Sequence, residues 1–233
     1  NTPLLTSKGS PETPLQKAGH ASLVETPGGE WYLAHLCGRP VGPHRRSVLG
    51  RETAIQRVEW NDEGWLQVAG GENRPRVEVP TPDLPATPFP ARTGRDDFDE
   101  DRLGVEYQTL RVPADESWLS LTERPGYLRL RGRESPRSLH RQSLVGRRFQ
   151  SFHCRFETCV EFAPTSFQQL AGLMCFYDDQ NFYYLHLTRD EELGTCLDLF
   201  ENSLDTPRNV LDQPVAVSSN RVFLRAERSE ERR

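Results

Sequence analysis

Gly19-His20-Ala21-Ser22-Leu23-Val24-Glu25-Thr26-Pro27-Gly28-Gly29-Glu30-Trp31-Tyr32-Leu33-Ala34-His35-Leu36 is the stretch on which the fold turns. Two strand-like runs, Ala21 to Thr26 and Glu30 to Cys37, flank Gly28-Gly29, and a glycine pair between two such runs predicts a hairpin. The rhythm repeats downstream, where Glu52 to Trp60 and Gly64 to Val68 flank the turn Asn61-Asp62-Glu63-Gly64. Four short antiparallel strands make one sheet the size of a propeller blade, and a lone blade has two bare edges and an uncovered face. Val24, Trp31, Leu33, Leu36, Ile55, Val58 and Trp60 cannot all be buried by four short strands. The segment is therefore expected to need other blades, and to be poorly soluble or dimeric without them.

From Pro80 to Pro90 the chain carries prolines at 80, 82, 85, 88 and 90, which suit neither a central strand nor a helix interior. This run predicts a stiff extended crossover. Beyond it period-2 alternation dominates, in Ser117 to Leu121, Tyr127 to Gly132, Phe149 to Phe162, Gln169 to Tyr177, Asn181 to Thr188, Thr195 to Glu201 and Arg221 to Ala226. Many strands with regular turn signals imply a sandwich of two sheets. In the cleanest run, Phe152, Cys154, Phe156, Thr158, Val160 and Phe162 share a face that is expected to be core. Either face of Phe182 to Leu187 could point inward. The chain thus divides into a blade region, 1–79, a proline-rich crossover, 80–95, and a sandwich, 96–233, all of it β.

The charge balance narrows the partners. With 34 acidic and 29 basic residues in 233, and a formal charge of -5, the chain offers no polyanion-binding face, so neither nucleic acid nor a membrane is an expected partner. The densest basic group, Arg39, His44, Arg45, Arg46 and Arg51, is broken by apolar and turn residues and reads as a solvated loop with one or two special arginines. No apolar run has bilayer-crossing length, and Asn1 to Lys8 lacks a signal-peptide pattern. Cys37, Cys154, Cys159, Cys175 and Cys196 are odd in number with no CxxC spacing, as expected of buried thiols in a reducing compartment. A cytoplasmic location is expected, with an extracellular one left open.

Gly19 to Pro27, Trp31 to Leu36 with Gly38-Arg39-Pro40, and Leu49-Gly50-Arg51-Glu52-Thr53 leading to Val58-Glu59-Trp60 resemble the last part of the five-bladed propeller of family 43 glycoside hydrolases. The nearest subgroup is the β-xylosidases, some of which also release α-L-arabinofuranosyl groups. Leu144-Val145-Gly146-Arg147-Arg148 and Phe162 to Tyr177 resemble the concanavalin-like C-terminal sandwich of the same enzymes. The resemblance implies an inverting glycosidase acting on xylo-oligosaccharides, with a Glu and an Asp roughly 6.5 to 9.5 Å apart as acid and base. It places both in blades before Asn1, so no catalytic residue is assigned to this chain. It also implies sandwich strands beyond Arg233, and so an incomplete sandwich, and a homo-oligomer.

Three positions carry over from the family. His20, of the GHA motif, is implied near the propeller axis below the sugar pocket, where in some relatives it helps hold calcium; read from residues alone, it is a hydrogen-bonded histidine at a strand start. Arg51, of the GRET motif, is implied to grip hydroxyls of the terminal sugar, since a guanidinium fork reaches two neighbouring oxygens at once. Read from residues alone, it is a surface arginine paired to Glu52 or a neighbouring acid. Phe167 is the candidate for an aromatic wall at the pocket mouth, and could equally plug the sandwich end. The competing class is a carbohydrate-binding or structural sandwich module, marked by aligned exposed aromatics; Trp118, Tyr127 and Tyr177 are its candidates.

Overall fold

The computed structural model describes residues 2–91 and 94–229. These form two compact units, one of residues 2–91 with 149–153 and Ser229, the other of 94–148 and 154–228. Four strands build the first: β1 (Gln16–Glu25), β2 (Trp31–Gly38), β3 (Glu52–Trp60) and β4 (Leu66–Val68), antiparallel in the order β1-β2-β3-β4. Both predicted hairpins form, and with the same chemistry. Three residues lie between Thr26 and Glu30, and three between Asn61 and Trp65, with Gly29 and Gly64 at φ 80° and 77° in the last loop position. A glycine there adopts the left-handed conformation without the Cβ clash any other residue would meet.

Side-chain alternation then sorts the blade into two faces. Leu33, Val58 and Val68 bury one of them against Leu5, with Leu4, Ala18, Trp31 and Leu66 packed around. On the other face Tyr32 is buried and its hydroxyl donates to the Pro80 carbonyl at 3.2 Å. The Asp83 amide donates to Glu30 Oε2 at 2.8 Å, so the proline-rich run is tied along this face. Val24 and Ile55, on the Tyr32 side by register, stay 53% and 44% exposed. Of the seven apolar residues expected to overload the blade, Leu33 and Val58 are buried by Leu5 and their neighbours, Trp31 and Leu36 are half-buried, and Val24, Ile55 and Trp60 are exposed.

Eleven strands among the described residues belong to the sandwich region: β5 (Tyr107–Thr109), β6 (Leu119–Ser120), β7 (Arg129–Leu130), β8 (Val145–Arg147), β9 (His153–Glu161), β10 (Ala171–Asp178), β11 (Asn181–Asp190), β12 (Gly194–Ser203), β13 (Thr206–Asn209), β14 (Val215–Ala216) and β15 (Arg221–Ser229). Strands β10 to β13 pair in sequence order with β14 also on β12, while β9 pairs β15, β5 pairs β8 and β6 pairs β7. The face from Phe152 to Phe162, expected to be core, is half-buried at each of its positions and fully buried at none, and Cys159 and Glu161 on the opposite face are half-buried as well. Four short strands, β5, β8, β13 and β14, are not among the sequence-predicted runs. In β13 the signal is hidden by Pro207, which is tolerated because β13 is an edge strand, and the β12–β13 turn uses Leu204 and Asp205 at φ 50° and 60° instead of a glycine. For β11 both faces contribute to core: Phe182 and His186 on one, Leu187 on the other.

His186 lies directly across from Asp198, and both are buried. The ring stacks on Tyr184 at 4.9 Å between centroids, and its Nδ1 lies 3.0 Å from the Tyr184 carbonyl. Burial pushes the His186 pKa down, with smaller opposing effects from that carbonyl and from Asp198, and burial pushes the Tyr184 hydroxyl up to about 12.

Two outcomes follow from this packing. Below the ordinary histidine pKa of about 6.5, the unfolded chain takes up a proton that folded His186 resists, so stability falls as pH drops from there toward the depressed folded value and is indifferent above it. Urea midpoints measured across roughly pH 7 to 5 should therefore decline, and His186→Gln should flatten that decline. Ile55→Lys should reduce hydrophobic-dye binding while changing stability by less than about 0.5 kcal/mol, because it replaces an exposed apolar side chain; dye titration beside a thermal melt checks it.

Candidate functional site

The start of β1 is locally irregular, and the irregularity is where His20 sits. The β1–β2 register shifts twice, between Gln16 and Gly19 and again between Gly19 and Ala21. Lys17 and His20 both have positive φ, 57° and 48°. Such conformations cost about 1–3 kcal/mol each for non-glycine residues and persist only where neighbours hold them. Here Gln16 Nε2 donates to the carbonyls of Ser10 and Thr13 at 2.9 and 2.6 Å, and the Ala18 amide donates to Ser7 Oγ at 3.1 Å. A pocket of about 340 Å³ lies beside the bulge, lined in part by Ser7, Lys8, Ser10, Gln16 and Lys17.

His20 itself is exposed. Calcium takes about six to eight oxygen ligands, whereas no cluster of three or more His, Cys, Asp or Glu suited to a metal occurs among the described residues. The described residues therefore do not by themselves make a calcium site at His20.

Arg51 lies one residue before β3, after a turn in which Gly50 has φ 75° and its amide donates to the Ser47 carbonyl at 2.9 Å. The pairing of Arg51 with Glu52, open from the residues alone, is not formed. Arg39 takes Glu52 instead, its Nε 3.1 and 3.0 Å from the two carboxylate oxygens and its Nη2 2.7 Å from Oε1. That guanidinium also lies 4.8 Å from the centroid of the Phe152 ring, and the bond to Glu52 holds the Arg39 pKa above its ordinary value. With Glu52 engaged, Arg51 is exposed and its side chain makes no hydrogen bond or ion pair with the described residues.

The sheet register brings His20 and Arg51 to the same end of the blade. Gly19, Leu36 and Thr53 form one cross-strand row, and Arg51 precedes that row by two residues, just before β3 begins. Two inter-strand steps separate the β1 and β3 backbones, roughly 10 Å. Between them lies His35, which was absorbed into the apolar run of β2 in the sequence. It is buried, with Nδ1 3.1 Å from the Leu36 carbonyl and Nε2 buried without a partner; Ser47 Oγ is likewise buried and unpartnered. A histidine inside an otherwise apolar strand was the available signal. Burial also pushes the Cys37 thiol up.

Phe167 is in the other unit. Two hydrogen bonds hold its loop: the Thr165 amide donates to Gln169 Oε1 at 2.7 Å, and Thr188 Oγ1 donates to the Phe167 carbonyl at 3.1 Å. The ring is 69% exposed, so it does not plug the sandwich end. The three aromatic candidates for a sandwich binding face part company. Trp118 is buried with its Nε1 donating to the Pro113 carbonyl, Tyr127 donates to Glu161 Oε1 at 2.7 Å beneath the Arg124 guanidinium, and only Tyr177 stands clear.

Comparison with known proteins agrees with this architecture. Residues 95–233 match the family model described as the beta xylosidase C-terminal concanavalin A-like domain, and residues 1–66 match that of glycosyl hydrolases family 43. A β-xylosidase of Bacillus subtilis is 47% identical over 85% of this chain and 39% of its own length. The xylosidase/arabinosidase 43B of Humicola insolens is 40% identical over 91% of the chain and 39% of its own length. The crystal structure of a xylan β-1,4-xylosidase from Bacillus halodurans superimposes with a TM-score of 0.95 at 51% identity, covering 98% of this chain and 44% of that one. The chain thus spans about two-fifths of the length of the relatives it matches.

The two arginines should separate in a stability experiment. Arg39→Ala removes a half-exposed ion pair and a ring contact, together worth about 1 kcal/mol. Arg51→Ala should cost less than about 0.5 kcal/mol. Thermal melts of both variants check the contrast.

Proposed function

Because the chain belongs to glycosyl hydrolase family 43, we propose that it forms the closing blade and the C-terminal sandwich of an inverting glycosidase that releases terminal β-D-xylosyl groups from xylo-oligosaccharides. Release of α-L-arabinofuranosyl groups is the second activity the reading includes, supported by the printed name of the Humicola relative. The observation that carries the proposal is the unengaged guanidinium of Arg51 at the blade end that also bears His20.

In this reading Arg39 is the structural partner that keeps Glu52 away from Arg51. The Arg51 fork then donates to two neighbouring hydroxyls of the terminal sugar and fixes the ring against the reacting groups. His20, held at positive φ by its bulge, lies below that ring. Proton donation to the leaving oxygen and activation of water fall to a Glu and an Asp in the remaining part of the enzyme. The odd number of cysteines, with no CxxC spacing, supports a reducing, cytoplasmic setting. A binding-module reading of the sandwich is weaker, because Trp118 and Tyr127 are committed to internal contacts.

The test uses the full-length enzyme. Arg51→Ala should lower kcat/KM for an aryl β-xyloside by a factor equivalent to about 2 to 4 kcal/mol, and Arg51→Lys should restore little of it, since an ammonium cannot reproduce the fork. Unchanged efficiency in either variant would remove Arg51 from the site. The 233-residue chain alone should show no turnover above buffer.

A further inference from the structure

We propose that the β3–β4 hairpin is a binding site for a neutral polysaccharide, with the Trp65 indole as its stacking platform and Gln67 and Glu59 as flanking hydrogen-bonding groups. The proposal rests on the glycosidase reading only for the choice of xylan as the first probe.

Trp65 is 71% exposed, the most exposed of the four tryptophans, whereas Trp118 is buried and Trp31 packs edge-on against Trp60 with centroids 5.9 Å apart. An indole carries about 150–250 Å² of surface that gains by burial, and the described residues of this chain leave most of it uncovered. Nor does the turn need it. The loop is closed by Asn61, whose Oδ1 accepts from the Trp65 amide at 2.8 Å and whose own amide donates to the Trp65 carbonyl at 2.9 Å. Any residue could supply those two main-chain groups. What they do for Trp65 is hold its backbone from both sides, so the ring is presented from a fixed point at little entropic cost.

The surroundings select the ligand. Glu59 pairs with Gln67 and Trp60 with Leu66, so by alternation Trp65, Gln67 and Glu59 share one face of the hairpin. Gln67 Nε2 donates to Glu59 Oε1 at 3.0 Å, which orients the amide and carboxylate together beside the indole. An aromatic face next to paired amide and carboxylate acceptors matches a pyranose, whose C–H face stacks while its equatorial hydroxyls donate. Glu59, Asp62 and Glu63 make the hairpin acidic, and between Arg57 and Arg74 the sequence has no Lys or Arg. Arg57 is itself paired with Glu30 at 3.3 Å. Arg76, whose guanidinium stands beside Gly70, lies 3.9 Å from Glu72, so the acidic balance disfavours phosphate, nucleic acid and uronate-rich polymers relative to neutral glycans. A protein partner is disfavoured because Arg57 and Glu59 separate Trp65 from Ile55, so the indole is a lone ring in a polar frame and not part of a broad apolar patch.

The experiment is affinity electrophoresis of the 233-residue chain through gels containing arabinoxylan or a neutral β-glucan, with an acidic pectin gel as contrast. Wild type should be retarded by at least one neutral polymer and not by pectin. Trp65→Ala should lose most of that retardation, about tenfold in apparent association constant, with an unchanged thermal melt; Trp65→Phe should keep the larger part. Acrylamide quenching of tryptophan fluorescence supplies a reading without a variant, since xylohexaose should shield the most exposed indole. Retardation by glucan but not arabinoxylan would keep the hairpin site and count against the xylosidase reading. Absence of retardation in every neutral gel, retardation that survives Trp65→Ala unchanged, or quenching indifferent to the sugar would each overturn the proposal.

Discussion

Strand β2 is the constraint on which the first unit depends, because it is buried from both sides. Leu33, His35 and Cys37 are nearly inaccessible on one face and Tyr32 on the other, and the two faces meet different neighbours. A slip of one residue would exchange Leu33, packed with Leu5 and Val58, for Tyr32, whose hydroxyl is bonded to the Pro80 carbonyl. The register therefore has one solution. Once β2 is set, the β1 bulge and the entry to β3 are fixed relative to each other, and His20 and Arg51 arrive at the same end of the sheet.

Competition among arginines decides what that end of the blade can do. The loop between β2 and β3 holds Arg39, Arg45, Arg46 and Arg51, and one carboxylate, Glu52, lies beside them. Arg39 takes it with a two-pronged contact that matches the planarity of both groups. A single ion pair at a half-exposed site adds little to stability. Its consequence is that, among the described residues, the neighbouring guanidinium of Arg51 has no partner.

The sandwich was more legible in long strands than in short ones. Strands β9 to β12 run for eight to ten residues with clear alternation, so pattern and structure agree to within a few residues. The short strands β5, β8, β13 and β14 carry too few alternations to register, and β13 includes a proline that only an edge position excuses. Aromatic roles were not legible at all. Trp118, Tyr127 and Tyr177 have equivalent local patterns, yet the first is buried, the second is bonded to Glu161 and the third is solvent-facing, because each fate depends on residues distant in sequence.

By itself the sequence determined the all-β class, the four strands of the blade, both glycine-closed hairpins and the long strands of the sandwich, since all of these rest on short-range periodicity and turn stereochemistry. His20, Arg51 and Phe167 were named from the family resemblance and not from periodicity. Only the tertiary structure decided that Arg39 and not Arg51 holds Glu52, that His35 is buried with an unpartnered nitrogen, that Phe167 is free of the core, and that Trp65 is left out of it. Each of those outcomes is a choice among partners brought together by strand pairing and loop closure, and a linear pattern encodes which residues alternate, not which of several nearby charges or rings wins the contact.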